Sequence, residues 1–519
     1  MDAASISALR RPDAWPHPVG AIELIETHIS WVLLTGEFAY KIKKPVNFGF
    51  LDFSSLEKRR FCCEEEVRLN ARLAPELYLD VVPVCGDVAA PEIAGDGPVL
   101  DYAVRMRQFD TRQGFDQLLQ RGELQPSHID QIALNLATFH GDTAVAAVDS
   151  GHGSAERVLG PVLENFAQIR PNLPGQVSDP ALLEQFEQLE RWSRSAASAL
   201  GPAIELRLRD GFIRECHGDL HLRNIVSWQG RVLPFDCIEF NPELRWIDVM
   251  SELAFLLMDL DDHGRQDLAA RLLNGYLEQT GDYPGLVMLR FYQVYRALVR
   301  AKVVSLRLAQ DPGNSDETVA ELCNYLALAE RYTRPSQPRL LINHGLSGSG
   351  KTFVSQILLE HTGLIRLRSD VERKRLFSLA PLDSSDPDNA AGIYSQEANT
   401  RTYARLCELA DPMLGCGFTV LVDAAFLKRE ERDMLRELAT ARGVPFAIVH
   451  CEAEMTVQRQ RVAARSAAGS DASEADLEVL ELQQGFLEPL LESESAQCYR
   501  IDTTGEPNLK AVLDFISAF

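Results

Sequence analysis

The spacing of apolar and polar positions changes character along the chain. Near the N-terminus, two apolar runs in HISWVLLTGEFAYKIKKPV flank Thr35-Gly36-Glu37, which predicts a β-hairpin. LEKRRFCCEEEVRLNARLAP has helical spacing and ends at Pro75, and LYLDVVPVCG and VLDYAVRMRQF follow as predicted strands. From about residue 115 to 330 the spacing is mostly helical. The pattern predicts a small strand-rich lobe at about 20–110 and a larger helical lobe at about 111–332.

A break in this pattern falls in RYTRPSQPRL at 331–340, where two prolines lie close together and no hydrophobic periodicity is present. Proline disfavours helix at its own position and at the preceding one, so we expect a linker at 333–338. LLIN then reads as a strand, followed by a glycine-rich turn and the helix TFVSQILLE. We therefore predict two domains, 1–332 and 339–519, the second an α/β fold with a doubly wound parallel sheet.

Composition narrows the class of protein. The chain has 519 residues, 46% of them hydrophobic and 24% charged, which is typical of globular domains. Its net charge of -23 disfavours binding to long nucleic acids. The ten cysteines include no CxxC pair, and no apolar run approaches the roughly 20 residues that span a bilayer. The N-terminus lacks the apolar core of a signal peptide. We expect a cytoplasmic protein without a membrane partner; its oligomeric state stays open.

One set of chemistry-bearing residues lies in HGDLHLRN and VLPFDCIEF. Phosphoryl transfer to an alcohol needs a carboxylate near the acceptor hydroxyl and oxygen ligands for Mg²⁺. Asp219 fits the base, and Asn224 and Asp236 fit the metal ligands. A lysine must also reach the ATP phosphates, and Lys41 and Lys43 share one face of a strand, with Lys41 preferred.

A glutamate on the following helix should hold that lysine. Glu66 shares a helical face with Leu69 and Leu73, so we prefer it to Glu64 and Glu65.

The pattern H-G-D-x-H-x-x-N is present in full at 217–224 and resembles the catalytic loop of the aminoglycoside phosphotransferase family. The resemblance implies a bilobal protein-kinase-like fold, with Asp219 as catalytic base and Asn224 and Asp236 as magnesium ligands. It also implies that Asp248, in the segment after the metal-binding aspartate, braces the catalytic loop. No G-x-G-x-x-G loop precedes Lys41, so the Thr35-Gly36-Glu37 hairpin would cover the phosphates. Nothing marks an aminoglycoside site, and that substrate does not carry over.

A second set lies in GLSGSGKT at 345–352, which satisfies G-x-x-x-x-G-K-[ST] between a strand and a helix. The backbone of such a loop wraps so that N–H groups point at the phosphates, while the lysine reaches the β/γ-phosphates and the threonine hydroxyl binds Mg²⁺. We therefore predict nucleotide binding by Gly345, Ser347, Gly348, Ser349, Gly350, Lys351 and Thr352.

Three stretches supply the remaining parts of this second set. Asp370 and Arg373 lie three apart just after a strand, so they would serve as base and acceptor-orienting cation; the alternative is an N-cap aspartate with a solvated arginine. Asp423 ends an apolar strand, where an acid would hold Mg²⁺ through water. Of Arg459, Arg461 and Arg465, we prefer Arg465 as the cation that neutralises the transferred phosphate, because it precedes the small polar stretch 466–476.

These parts resemble small P-loop kinases, including polynucleotide 5′-hydroxyl kinase and zeta-toxin-like kinases, in whose S-D-x-x-R segment Ser369, Asp370 and Arg373 would lie. The whole chain resembles a bacterial fusion of an aminoglycoside-phosphotransferase-like domain with a P-loop, AAA-type ATP-binding domain. The resemblance implies an ATP- and Mg²⁺-dependent phosphotransferase with two nucleotide sites and small-molecule hydroxyl acceptors. The alternatives are one catalytic domain regulated by a nucleotide-sensing partner domain, or a nucleotide or RNA-end kinase.

Overall fold

The protein is described here from a computed structural model that covers residues 1–518 except 50, 174–179, 311–314, 382, 384–392, 394 and 469–471. Its internal contacts divide the chain into two compact units. The first unit comprises residues 1–164 and 197–259, and the second comprises 165–196 and 260–519. The predicted linker 333–338 separates a helix that ends at Thr333 from a strand that begins at Leu340, and it lies inside the second unit.

The elements of the N-terminal part follow in chain order. The strands are β1 (Glu23–Glu26), β2 (Ser30–Leu34), β3 (Phe38–Lys43), β4 (Tyr78–Asp87), β5 (Ala90–Ile93), β6 (Val99–Arg107), β7 (Ile213–Glu215), β8 (Ile225–Trp228), β9 (Arg231–Pro234) and β10 (Trp246–Asp248). The helices are α1 (Ala3–Ala8), α2 (Leu56–Asn70), α3 (Phe115–Gln120), α4 (Pro126–Asp142), α5 (Ala155–Ile169), α6 (Pro180–Arg209) and α7 (Val249–Asp262).

The C-terminal part alternates strands and helices after an all-helical stretch. Its helices are α8 (Gln266–Thr280), α9 (Leu286–Gln310), α10 (Ser315–Thr333), α11 (Lys351–Thr362), α12 (Ser369–Leu376), α13 (Gln396–Gly415), α14 (Arg429–Arg442), α15 (Met455–Ala468), α16 (Leu477–Phe486), α17 (Glu492–Ser495) and α18 (Leu509–Ala518). Its strands are β11 (Leu340–His344), β12 (Ile365–Arg368), β13 (Val420–Asp423), β14 (Phe446–Glu452) and β15 (Cys498–Asp502). Among the described residues, no helix combines the length and apolar character that a membrane span requires.

The first unit contains a six-stranded antiparallel sheet in the order β1-β2-β3-β6-β4-β5. The predicted hairpin is confirmed, since β2 and β3 pair antiparallel with Leu34 opposite Ala39. The buried face of this sheet includes Trp31, Leu33, Tyr40 and Ile42. A strand-rich lobe followed by helices is the predicted protein-kinase-like architecture.

Helix α2 crosses this sheet and presents a polar residue to the core. Ser55 caps its N-terminus by accepting a hydrogen bond from Lys58 N, and acidic Glu57 and basic Arg68 match the ends of the helix dipole. Its buried residues include Cys63 and Glu66, although a buried glutamate is costly without a cationic partner. The helix therefore carries a charge that neighbouring elements must balance.

The second unit is built on a five-stranded parallel sheet in the order β12-β13-β11-β14-β15. All five residues of β11 are buried, as expected of a central parallel strand covered on both faces. Leu341, Leu358, Leu421 and Val449 belong to the core between this sheet and its helices. This is the predicted doubly wound P-loop fold.

The edge strand β12 is covered by a helix that precedes the predicted linker. Asn274 on α8 donates a hydrogen bond from Nδ2 to Leu364 O at 3.0 Å and accepts one from Arg366 N at 2.7 Å. Glu278, one turn further along α8, pairs with the Arg366 guanidinium at 2.7 Å. The carboxamide satisfies backbone groups that an open sheet edge would expose, so α8 is a structural part of the P-loop unit.

Candidate active sites

In the first unit, strand β3 and helix α2 bring two lysines to one glutamate. Lys41 Nζ donates to Glu66 Oε1 at 2.8 Å, and Lys43 Nζ donates to Glu66 Oε2 at 2.6 Å. Lys41 also lies 2.6 Å from Asp236 Oδ1, whereas Lys43 pairs with Glu239. Sequence reasoning weighed Lys41 against Lys43, and in the fold both lysines bind the same carboxylate.

Burial and charge act in opposite directions on these groups. Burial alone would raise the pKa of Glu66, but the ammonium groups of Lys41 and Lys43 outweigh it and lower the pKa to about 2. Burial would lower the pKa of Lys41, but Asp236 and Glu66 raise it well above its usual value. Burial raises the pKa of Glu239 despite its contact with Lys43. Lys41 and Glu66 are therefore a charged pair at neutral pH.

The catalytic-loop motif forms a compact turn around Asp219. Asn224 Nδ2 donates to Asp219 O at 2.9 Å and to Asp219 Oδ2 at 3.2 Å. His221 Nε2 lies 3.4 Å from the same carboxylate oxygen. The Asp219 side chain is 40% exposed, so it is accessible to an acceptor.

The segment that carries Asp236 is hydrogen-bonded to this loop. His217 Nε2 donates to Phe235 O at 2.8 Å, and Phe235 N donates to Asn224 O at 2.9 Å, so the two predicted metal-ligand segments are tied together. Asp236 adopts a φ of 66°, which is unfavourable for a residue other than glycine and is typical of functional sites. Tyr78 accepts a hydrogen bond from Asp236 N at 3.1 Å.

One brace of the catalytic loop is a residue that sequence reasoning missed. Glu252 on α7 is fully buried and accepts hydrogen bonds from His217 N at 3.0 Å and Gly218 N at 2.7 Å. Asp259 Oδ2 accepts from Leu222 N at 2.9 Å. Asp248, the residue expected to brace the loop, pairs with a buried arginine and accepts from Met250 N. Two acids seven residues apart on an apolar helix were the available signal, because they share a face.

In the second unit, the glycine-rich loop wraps tightly at the end of β11. A Cβ on Gly345 would lie 2.3 Å from Cys451 O, and one on Gly348 would lie 2.6 Å from Gln458 O, with both glycines at positive φ. Lys351 Nζ donates to Gly345 O and Leu346 O, each at 2.9 Å. Burial lowers the pKa of Lys351. The glycines are therefore required by steric contact as well as by backbone conformation.

A cavity of about 560 Å³ opens beside this loop. Its walls include most of the residues predicted for the second site, namely Ser347, Gly348, Gly350, Lys351, Thr352, Asp370, Arg373, Asp423 and Arg465. Six lining side chains are basic and three are acidic, although the whole chain is strongly acidic. The cavity is a local positive site that suits phosphate groups.

Asp423, the last residue of β13, accepts hydrogen bonds from two uncharged side chains. Asn343 Nδ2 donates to its Oδ1 at 2.8 Å, and Ser355 Oγ donates to its Oδ2 at 3.2 Å. Thr352 is the second residue of the neighbouring helix α11, directly after Lys351. The aspartate and the threonine both line the cavity beside this loop.

Residues of α12, α13 and α14 also line the cavity. Asp370 lies in the first turn of α12, where the N-cap is Arg368 and not an aspartate. Arg373 donates to Asn399 Oδ1 at 2.9 Å, and Asn399 Nδ2 donates to Glu431 Oε1 at 2.9 Å. Arg373 is 8% exposed, so the alternative of a solvated arginine does not hold.

The basic helix α15 contributes two arginines to the cavity in different ways. Arg461 donates to Gly348 O at 3.3 Å and to Thr503 Oγ1 at 3.0 Å, so it clasps the glycine-rich loop. Arg465 donates to Ala475 O at 2.9 Å. Part of the polar stretch that follows Arg465, residues 469–471, lies outside the described residues.

Helix α16 contacts the phosphate-binding backbone directly. Gln483 Oε1 accepts a hydrogen bond from Ser347 N at 2.8 Å. Leu482 and Phe486 on the same helix, and Phe353 on α11, are more than half exposed and line the cavity. These contacts were not predicted, since nothing local in the sequence links α16 to the loop.

Two histidines lie beneath the loop. His344, the last residue of β11, and His450 on β14 approach to 2.6 Å between their Nδ1 atoms. His450 Nε2 is 3.5 Å from Glu452. Burial and the neighbouring His450, Arg432 and Lys351 lower the pKa of His344 to about 3. Burial and Arg500 also lower the pKa of His450. The pair is neutral at physiological pH.

Comparison with known proteins agrees with the two-part architecture. Residues 340–490 match the family model described as an AAA domain. The uncharacterized protein Rv2004c of Mycobacterium tuberculosis is 30% identical over 460 residues, which cover 88% of this chain and 89% of that protein. The uncharacterized protein Mb2027c of Mycobacterium bovis matches with the same identity and coverage. The likeness therefore extends through both units.

Solved structures resemble one part of the chain or the other. A choline/ethanolamine kinase family protein from Mesorhizobium loti is 13% identical and covers 64% of this chain and 94% of its own, with a TM-score of 0.37. A putative kinase from Chloroflexus aurantiacus is 22% identical and covers 35% of this chain and 98% of its own, with a TM-score of 0.30.

Proposed function

The chain belongs to the family of the mycobacterial protein Rv2004c, and on that premise we propose that it is an ATP- and Mg²⁺-dependent phosphotransferase with two nucleotide sites. Each site would pass the γ-phosphoryl group of ATP to a hydroxyl group of a small-molecule acceptor. Both units have folds of the kinase type, and each carries a lysine, a candidate base and candidate metal ligands.

The observation that carries the proposal is the set of side chains that line the cavity in the second unit. Its lining includes Lys351 and Thr352 of the glycine-rich loop together with Asp423, Asp370 and Arg373. A volume of about 560 Å³ is in the range of small-molecule sites. A candidate base and an arginine in the same cavity as a phosphate-binding loop support transfer to a hydroxyl of an anionic acceptor rather than nucleotide binding alone.

The first unit supports the same reaction with different parts. The Asp219 carboxylate takes the proton of the acceptor hydroxyl as its oxygen attacks the γ-phosphorus. The bond from that phosphorus to the β,γ-bridging oxygen breaks, and ADP departs. Lys41, oriented by Glu66, donates to the α- and β-phosphates. The Thr35-Gly36-Glu37 hairpin would cover the phosphates, and Gln108 holds it by accepting from Gly36 N at 2.8 Å.

The oxygen donors of both sites fit Mg²⁺, a hard cation that prefers carboxylate, carbonyl and hydroxyl ligands. In the first unit, Asn224 donates with its Nδ2 to Asp219, which leaves its amide oxygen as the ligand atom beside Asp236. In the second unit, Thr352 and Asp423 would hold the ion. When bound, the ion would neutralise charge on the phosphate oxygens.

The test is phosphoryl transfer from ATP to a metabolite extract by the wild type, Asp219→Asn and Lys351→Ala, with mass-spectrometric detection of new phosphorylated species. If each substitution removes a different product, the protein is a bifunctional kinase. If one substitution removes all transfer and the other changes only its rate, one unit is the enzyme and the other a nucleotide-responsive regulator. If neither changes the products, the proposal is wrong.

A further inference from the structure

The first unit holds one lysine more than the proposed reaction uses. Lys41 reaches Asp236 and has a partly exposed side chain. Lys43, two residues further along β3, is 1% exposed and lies over the Phe53 ring at 4.9 Å. A side chain so deeply buried does not touch a phosphate. Its role must therefore come from the groups that it joins.

Lys43 joins two elements that both carry parts of the site. Its Nζ donates to Glu66 Oε2 on α2 at 2.6 Å and also to Glu239. Glu239 lies three residues after Asp236 and is 5% exposed. Arg245 donates to Glu239 O at 3.2 Å, which fixes the same segment from the other side. One ammonium group thus connects the helix that orients Lys41 with the segment that carries Asp236.

The charges explain why a second lysine is needed. Two ammonium groups, of Lys41 and Lys43, face three carboxylates, of Glu66, Asp236 and Glu239. If Lys43 were absent, Glu66 would have to share its remaining cation, Lys41, with the ATP phosphates. A buried carboxylate that is poorly paired is unfavourable, so Glu66 would then be displaced or protonated. Lys43 keeps Glu66 charged and in place throughout.

We propose that Lys43 is a positioning residue that holds Glu66 and Glu239 together and thereby aims Lys41 and Asp236 at Mg²⁺-ATP. The inference rests on the proposed function of the first unit. It assigns Lys43 no contact with nucleotide or acceptor. Glu66 acts on the site through Lys41, and Glu239 acts through the segment that carries Asp236.

The first test measures positioning without nucleotide, by hydrogen exchange of the full chain. Lys43→Met with Glu239→Gln removes the central cation and one carboxylate together, so no charge is left unpaired at Glu239. We expect faster exchange in 56–70 and 236–240, with strand β11 of the second unit unchanged as an internal reference. Glu239→Gln alone keeps the Lys43–Glu66 pair and should raise exchange only in 236–240. Lys44→Met is the matched control, because Lys44 pairs with Glu26 outside the cluster.

The second test measures Mg²⁺-dependent binding of a fluorescent ATP analogue in a Lys351→Ala background, where only the first unit should bind. The double substitution should weaken binding about 10- to 100-fold, as is usual when a group that orients a ligand is removed. Lys44→Met should leave binding unchanged.

The outcomes separate the two claims. Unchanged exchange in 56–70 and 236–240 in the double variant overturns the positioning role, whatever the nucleotide affinity. Faster exchange supports it. If exchange rises but Lys351→Ala with Lys43 intact binds no ATP analogue, Lys43 still holds Glu66 and Glu239 together, but the proposed function of the first unit fails and the aiming of Lys41 at Mg²⁺-ATP fails with it. Equal loss of binding in Lys44→Met and the double variant would also overturn the inference.

Discussion

The two lysines that we propose to bind phosphate are held in opposite ways. Lys41 contacts two carboxylates, which lie 25 and 195 residues away in sequence. Lys351 donates to two carbonyl oxygens only 6 and 5 residues away, in its own loop. Carboxylates raise the pKa of Lys41, whereas burial lowers that of Lys351.

The comparison shows two ways of holding a lysine in place. The first unit assembles its site from side-chain charges brought together by tertiary structure, so its geometry depends on ion pairs. The second unit builds its site from the path of the backbone, so its geometry depends on glycines and on the sheet beneath them. Substitutions should therefore act on the two sites through different physical routes.

The largest expected effect comes from removing the lysines themselves. Lys41→Met should abolish transfer at the first site and leave the second intact, and Lys351→Met should do the reverse. Loss of one group that stabilises developing charge costs about 100- to 1,000-fold in rate. Product formation from ATP by each variant is the measurement. Lys44→Met is the control, and an equal loss in that variant would contradict a specific role for Lys41.

The next effect concerns the scaffold of the backbone-built site. Asn274→Ala would leave Leu364 O and Arg366 N without their partner at the sheet edge. Two buried backbone groups without partners should cost about 2–4 kcal/mol in the free energy of unfolding. Denaturant unfolding, with hydrogen exchange of β12, measures this. Asn324→Ala, which removes a bond made by an exposed asparagine, is the control; equal destabilisation by both would contradict the edge-covering role.

The second site could be predicted from the sequence more completely than the first, because it is built from one continuous stretch of backbone. The residues 345–352 are contiguous, and their strand–turn–helix context is readable locally, so the loop lies at the end of β11 as expected. The first site needed partners far apart in sequence. Asp219, Asn224 and Asp236 were reachable through a motif, but the sharing of Glu66 between two lysines was not.

What the sequence did not predict lies in contacts between elements. Glu252 was missed because the face that it shares with Asp259 marks two acids on an apolar helix but does not show which backbone groups they support. Asn274 was hidden because it precedes the predicted linker and nothing marks it as covering β12. Whether 1–332 is one functional domain stays a prediction, although helices of that range belong to the compact unit of the P-loop sheet.

Lowering the pH should destabilise the second unit through the pair His344 and His450. An unfolded histidine binds a proton near pH 6.5, but folded His344 does so only at about pH 3. The contribution of neutral His344 to the free energy of unfolding of the second unit is therefore complete above pH 6.5, and it is lost as the pH falls toward 3. The expected loss from His344 at pH 5 is about 2 kcal/mol. His450, Arg432, Lys351 and Glu494 face His344. His450, whose pKa is also lowered by burial and Arg500, titrates in this interval and adds to the loss, whereas the arginine and the lysine do not titrate in it and the glutamate does so only near its lower end.

Denaturant unfolding at pH 7 and pH 5, with hydrogen exchange of β11 to identify the unit, checks this prediction. His344→Asn should flatten the dependence on pH, because asparagine does not titrate. His361→Asn is the matched control, since His361 is exposed on α11. If both variants keep the wild-type slope, the pair does not govern acid stability.

The smallest effect tests whether side chains compete with phosphate at the backbone-built site. Gln483 Oε1 accepts from Ser347 N, one of the N–H groups expected to bind a phosphate oxygen. Gln483→Ala removes that competitor, and a hydrogen bond is worth about 1 kcal/mol, so Mg²⁺-ATP should bind about fivefold more tightly. Calorimetric titration in a Lys41→Met background isolates the second site. Gln484→Ala is the matched control, because its neighbouring carboxamide contacts the Met455 sulfur instead. Weaker binding by Gln483→Ala would mean that the carboxamide contacts the nucleotide, and the backbone-built site would then share the first site's dependence on side chains.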